Sequence, residues 1–143
     1  MPNILHRVGI DAPVEKVYET LTTLEGNRAW WDSNAAGDAK KGGLLTFFKN
    51  WDFKVVETQP NELVKWKCVR GDSDWLNTEI LFQLVHKKGQ TFVLFTHADW
   101  KEPVEFMHHC STKWATFLLS LKQFLETGKG RPAPGDVQIE VGG

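Results

Sequence analysis

Few residues of this chain are placed to do chemistry, and the sharpest of them is His97. It closes the run Thr91, Val93, Phe95, His97, in which alternate residues share one face of an extended strand. A neutral imidazole at the end of an apolar face can exchange a hydrogen bond with a ligand's carbonyl or hydroxyl. It can equally be satisfied by backbone or by a neighbouring helix, the usual fate of a buried polar group. Thr78 is a second polar contact of this kind, and His6 has a weaker claim. His108, His109 and Cys110 gather three metal-ligating residue types. Adjacent helical residues diverge by about 100°, however, and neither HExxH nor a paired Cys/His spacing is present, so no metal or cofactor is expected. Glu105 and His109, four residues apart, read as a surface pair. No glycine-rich phosphate loop, GxSxG elbow or carboxylate pair appears, and no catalytic residue is assigned. Any proton transfer would fall to His97 with an ordered water or to Glu79, which lies on the strand face opposite Thr78.

The elements that must position these residues follow from periodicity. Asn3 to Ile10 alternates as a half-buried strand, and Pro13 opens a short helix carrying Val14, Val17, Tyr18 and Leu21 on one face, ending near Gly26. Asn27 to Ser33, with Trp30 and Trp31, reads as a second short helix or a turn, and Ala35 to Gly43 as loop. Five strands then follow, Leu44–Lys49, Phe53–Thr58, Leu63–Arg70, Leu76–Lys87 and Gln90–Asp99, with turn residues between them. Such short connections imply an antiparallel meander. From Val104 to Thr127 apolar residues recur at spacings of three and four, which predicts a helix of about 36 Å ended by Gly128. The Gly- and Pro-rich stretch beyond it reads as a flexible tail, so the expected organisation is one domain over 1–130 and a tail over 131–143.

Composition narrows the partners. With 17 Lys and Arg against 18 Asp and Glu, the net charge of −1 provides no cationic surface to recruit nucleic acid or an anionic membrane. No basic segment precedes an apolar stretch at the amino end, and no run approaches the roughly 18–20 apolar residues that span a bilayer, so a cytoplasmic protein without integral membrane association is expected. Cys68 and Cys110 sit in apolar patterns and are expected as reduced thiols. Seven Trp and nine Phe beside one Tyr are too much rigid apolar surface for ordinary turns; they must fill a core or line a site.

Several motifs resemble one family. They are Ala12-Pro13-Val14-Glu15-Lys16-Val17-Tyr18, Trp30-Trp31, Thr78-Glu79-Ile80-x-Phe82-x-Leu84, Thr96-His97, Trp100, His109-Cys110-Ser111-x-x-Trp114-x-x-x-Leu118-x-Ser120-Leu121-Lys122 and Leu125-Glu126-x-Gly128. In this order and spacing, from Ile4 to Gly130, they resemble the SRPBCC superfamily, also described as START-like or birch-pollen-allergen-like. Within it they resemble the branch of homologues of the ATPase activator of the 90-kDa heat-shock chaperone. The resemblance implies an α+β helix-grip fold: a curved antiparallel sheet of about six strands wraps a long C-terminal helix, with one or two short helices after the first strand. It also implies a cavity between sheet and helix, in which family members bind lipids, sterols, polyketides or plant hormones and some act as cyclases or aromatases.

Apolar pockets with a few placed polar groups are the usual form of a small-molecule site. The inward candidates for such a pocket are Trp66 and Cys68, then Thr78, Ile80 and Phe82, then Val93, Phe95 and His97, and from the helix Met107, Cys110 and Trp114. Trp30 and Trp31 are placed near its mouth. Trp114 is also read as core, together with Phe117, Leu121 and Phe124. The leading expectation is binding of a small, largely apolar ligand by burial, at about 25 cal/mol per Å², without chemistry. A cyclase-, aromatase- or hydrolase-type enzyme in the same cavity is a second reading. A protein-interaction module, acting on a chaperone or as a homodimer through exposed Trp51, Trp75 or Trp100, is a third.

Overall fold

A computed structural model describes residues 1–142. The elements run β1 (Ile4–Ile10), α1 (Val14–Leu21), α2 (Leu24–Trp30), β2 (Ala36–Gly37), β3 (Leu44–Phe47), β4 (Trp51–Gln59), β5 (Leu63–Arg70), β6 (Glu79–Lys87), β7 (Gln90–Ala98) and α3 (Glu105–Thr127). The strands form one antiparallel sheet in the order β1-β7-β6-β5-β4-β3-β2. The sheet curves around α3, giving the α+β helix-grip architecture. Its strand count is seven rather than six, because Ala36 and Gly37, expected in a loop, pair with Thr46 and Leu45.

Strand alternation sets the facing. Ile80, Phe82 and Leu84 of β6 lie opposite His97, Phe95 and Val93 of β7, and all six are buried. Two register shifts between β4 and β5, at Asp52/Phe53 and Val55/Glu57, add the local twist that bends the sheet inward. The expected strand start at Leu76 is displaced to Glu79. Residues 73–77 form a turn instead, with Asn77 at φ 69°, and that turn folds Trp75 inward to 8% exposure.

The ambiguous Asn27–Ser33 segment resolves into a separate helix, α2. The Thr23 side chain accepts from the Gly26 N–H at its start, a cap that satisfies one orphan backbone donor. A Cβ on Gly26 would meet the Thr20 carbonyl oxygen at 2.1 Å, so the tight α1–α2 corner requires glycine there. Buried Asn27 then ties the helix together: its amide donates to the Leu21 and Thr23 carbonyls, and its Oδ1 accepts from Trp30 Nε1. This corner delivers Trp30 and Trp31 into the interior. The helix α3 ends at Gly128 in the left-handed conformation, φ 87°.

Beyond Gly130, where a flexible tail is expected, the described residues dock on the body. Ala133 donates its N–H to the Trp31 carbonyl and accepts from the Ser33 N–H, and Ser120 Oγ accepts from the Arg131 N–H. Gly and Pro bar this stretch from helix, but an irregular chain can still pair its backbone with α2 and α3. No helix among the described residues is long and apolar enough to cross a membrane.

Candidate functional site

The deep interior is built on His97. Trp114 of α3 donates its indole N–H to His97 Nδ1 at 3.1 Å, and Thr78 Oγ lies 2.8 Å from His97 Nε2. Indole nitrogen is only a donor, so Nδ1 must be the acceptor and the neutral ring carries its proton on Nε2. That proton is donated to Thr78 Oγ, whose own hydroxyl donates to the Trp75 carbonyl at 2.6 Å. Both ring nitrogens of His97 and the Thr78 hydroxyl are thereby engaged. The His97 side chain is wholly buried, and burial pushes its pKa from 6.5 down to about 3, so the ring is neutral throughout the physiological range.

Around it the aromatics close-pack. Trp114 lies 4.5 Å from Phe95 and 4.9 Å from Trp31, and Trp31 stacks on Trp66 at 6.0 Å and 7°. Trp66 also meets Phe82 edge-on at 5.1 Å. The indole N–H groups of Trp66 and Trp100 are buried without a hydrogen-bond partner among the described residues. An unmade bond of this kind costs about 1–3 kcal/mol.

In front of this packed layer lies an open cleft of about 230 Å³, between α3, the β3–β4 hairpin and the turn before β6. Trp31, Phe48, Trp51, Phe53, Trp75, Phe106, Trp114 and Phe117 form its walls, with Cys110, His109, Lys113 and Asp136 between them. Phe48 stands on the hairpin at φ 52°, a left-handed conformation unusual for a bulky side chain, and its N–H is held by the buried Asp32 carboxylate at 2.7 Å. Cys110 Sγ accepts from Trp75 Nε1 at 3.3 Å. Burial pushes the Cys110 thiol up to about 12 and that of Cys68 up to about 11, so neither supplies a thiolate nucleophile. Both thiols are free.

The charged groups of the cleft face the C-terminal segment. Lys113 pairs with the Asp136 carboxylate and donates to the Val137 carbonyl, while its ammonium sits 5.4 Å over the Phe117 ring. One turn earlier, His109 Nδ1 lies 2.7 Å from a Glu140 carboxylate oxygen. The expected Glu105–His109 pair is thus replaced by a longer-range partner. Among the described residues no group of three or more His, Cys, Asp or Glu side chains is arranged to hold a metal ion.

Of the thirteen residues expected to line the pocket, three do: Trp31, Cys110 and Trp114. Trp66, Cys68, Thr78, Ile80, Phe82, Val93, Phe95 and His97 face inward as expected but lie outside the cleft lining, buried in the core, and Trp30, expected near the mouth, is buried there with them. Their bulk consumes the space that the sheet's curvature encloses. Met107 points elsewhere, into a shallow groove with Asn3, Leu5 and Pro103. The three tryptophans expected on the surface are corrected as well. Trp100 is 1% exposed, Trp75 is buried, and Trp51 is half-buried against Trp75 at 4.5 Å. Phe48, Trp51, Trp75, Lys113 and Asp136 were missed as cleft residues; Lys113 follows His109 by four and precedes Phe117 by four, a spacing that places all three on one side of α3.

Comparison with known proteins gives the fold a lineage. The family model described as "Activator of Hsp90 ATPase homolog 1-like protein" matches residues 11–126. No protein of curated function matches the chain. Among solved structures, the Aha1 dimer from Colwellia psychrerythraea, determined in solution, is 47% identical over 91% of this chain and 100% of that one, with a TM-score of 0.80. Protein SSP2350 from Staphylococcus saprophyticus is 22% identical over 92% of this chain and 98% of that one, with a TM-score of 0.77. CalU16 from Micromonospora echinospora is also 22% identical, over 92% of this chain and 77% of that one, with a TM-score of 0.75. The last two likenesses speak for the fold alone.

Proposed function

Because the chain belongs to the family of Activator of Hsp90 ATPase homolog 1-like proteins, we propose a function that this fold can support: it binds a small, largely apolar molecule in the cleft in front of Trp31 and Trp114. The observation that carries this reading is the cleft itself, aromatic on nearly every wall and open to solvent. Its volume of about 230 Å³ falls below the roughly 300–1,000 Å³ of drug-sized pockets, which favours a compact ring system over a long acyl chain. Binding rests on burial of ring faces against Trp51, Trp75 and Phe117. The enzymatic alternative relied on His97, whose ring nitrogens are both engaged inside the core, so it draws no support from that residue.

The test uses the seven tryptophans as reporters. Indole N–H resonances are followed by NMR while a panel of fused-ring aromatics and fatty acids is added. Shifts at Trp31, Trp51, Trp75 and Trp114, with Trp66 and Trp100 little changed, are expected for aromatic compounds. A flat response to the whole panel overturns the reading.

A second reading is a homodimer, which the 47% identity to the Aha1 dimer from Colwellia psychrerythraea favours. Native mass spectrometry at micromolar protein gives twice the chain mass if it holds, and the same spectra reveal any retained small molecule.

A further inference from the structure

The C-terminal segment treats the cleft as a ligand would. It runs along the rim beside α3 and places two carboxylates against the two basic side chains there: Asp136 on Lys113 and Glu140 on His109. The spacing matches, since Asp136 and Glu140 are four residues apart in sequence, as are His109 and Lys113. The Asp136 side chain is only 11% exposed, so its charge is drawn into the cleft rim rather than left in water. Lys113, the one lysine of the lining, keeps its ammonium over Phe117 and against the aromatic wall. An apolar cleft needs no cation to hold a neutral hydrocarbon. A lysine kept at the boundary of aromatic walls, neutralised by a carboxylate from an irregular strap, is the arrangement expected of an anion site with an internal occupant.

We propose, resting on the reading of the cleft as a ligand site, that its ligand is a planar aromatic carboxylate whose acid group displaces Asp136 from Lys113, the C-terminal segment being the competitor it must remove. The aromatic part lies against the walls at Trp51, Trp75 and Phe117. The carboxylate takes over the Lys113 ammonium, and Asp136 returns to water. Affinity is then set by a contest between two carboxylates for one ammonium. Weakening the internal one must strengthen the external one by the same coupling.

The test titrates the full chain with 2-naphthoate and, separately, with uncharged 2-naphthylmethanol, following the Trp51 and Trp75 indole resonances. Wild type is compared with Asp136→Asn, Lys113→Arg and Lys113→Met, and a well-dispersed amide spectrum confirms that each variant is folded. The expected result is 2-naphthoate binding about tenfold tighter to Asp136→Asn than to wild type. Lys113→Met should lose the preference for acid over alcohol, and Lys113→Arg should retain it. Equal binding of acid and alcohol by wild type and Asp136→Asn overturns the proposal while leaving the cleft a neutral-ligand site. A preference for the acid that Asp136→Asn does not change overturns the competition. Failure of both probes to move any cleft indole overturns the proposal together with the reading beneath it.

Discussion

Two ionisable side chains flank Trp114, and the protein treats them in opposite ways. His97, behind the indole, is bonded to partners that belong to the core: Trp114 on α3 and Thr78 ahead of β6. Lys113, in front of it, is bonded to a strap that follows the last helix. A polar group whose partners are core residues cannot be offered to a ligand without unfolding the site. One whose partner is a docked segment can be offered at the cost of undocking that segment. The difference separates structural polarity from available polarity, and it explains why the most suggestive residue of the sequence lies on the wrong side of the aromatic layer.

The largest expected effect tests the core side. Trp114→Ala removes a buried indole and strips His97 Nδ1 of its donor, so urea unfolding should show a loss of about 3–5 kcal/mol. Lys113→Ala should lose less, about 1–2 kcal/mol, because Asp136, although only 11% exposed, sits on an irregular strap and can turn out to water once its partner is gone. Equal losses at the two sites would erase the distinction between them.

Acid should act on the same side. The folded-state pKa of His97, about 3, lies below its ordinary 6.5, so between these values the unfolded chain binds the extra proton. Stability from this residue is therefore complete above about pH 6.5 and is lost as pH falls toward 3, at a rate approaching about 1 kcal/mol per pH unit. His97→Gln should flatten that slope in urea titrations run from pH 7 to pH 4. An unchanged slope would show that His97 protonates without disturbing the core. Next in size, Thr78→Val leaves the His97 Nε2–H without an acceptor, while the Trp75 carbonyl keeps its bond from the Thr78 N–H, and should lose about 1–3 kcal/mol despite the near-identical shape.

These two regions also differ in how legible they were. The inward faces of β6 and β7 follow from period-two alternation, and that is enough to align Ile80 and Phe82 with His97 and Phe95. The long helix is equally plain in its three-and-four spacing. Strand and helix periods say which way a side chain points, however, and not whether it meets another side chain or a gap. That depends on how far the bulges in β4 and β5 curl the sheet, and on whether Trp31 fills the space beneath. Trp75, expected to be exposed just ahead of a strand from Leu76, is instead carried inward by a turn at residues 73–77 that strand periodicity does not reveal. The strap was invisible for a further reason: Gly and Pro mark a break in regular structure, and docking by Ala133, Asp136 and Glu140 has no periodicity to detect.

The smallest stability effect belongs to the mouth, and its smallness is informative. Phe to Gly at a packed site commonly costs several kcal/mol, yet Phe48 is a third exposed and sits at φ 52°, where an L side chain carries about 1–2 kcal/mol of backbone strain. Glycine at this position relieves that strain, adds roughly 0.5–1 kcal/mol of chain entropy to be lost on folding, and forgoes edge contacts with Trp31 at 5.5 Å and Phe117 at 6.4 Å. These terms oppose one another, so Phe48→Gly should unfold within about 1 kcal/mol of wild type. The same change removes one wall of the cleft, and binding of an aromatic probe should weaken by about tenfold. A folded variant with lost binding would place Phe48 with Lys113 on the available side of the aromatic layer. A variant as unstable as Trp114→Ala would instead make the hairpin part of the core, and the boundary between the two regions would have to be moved outward.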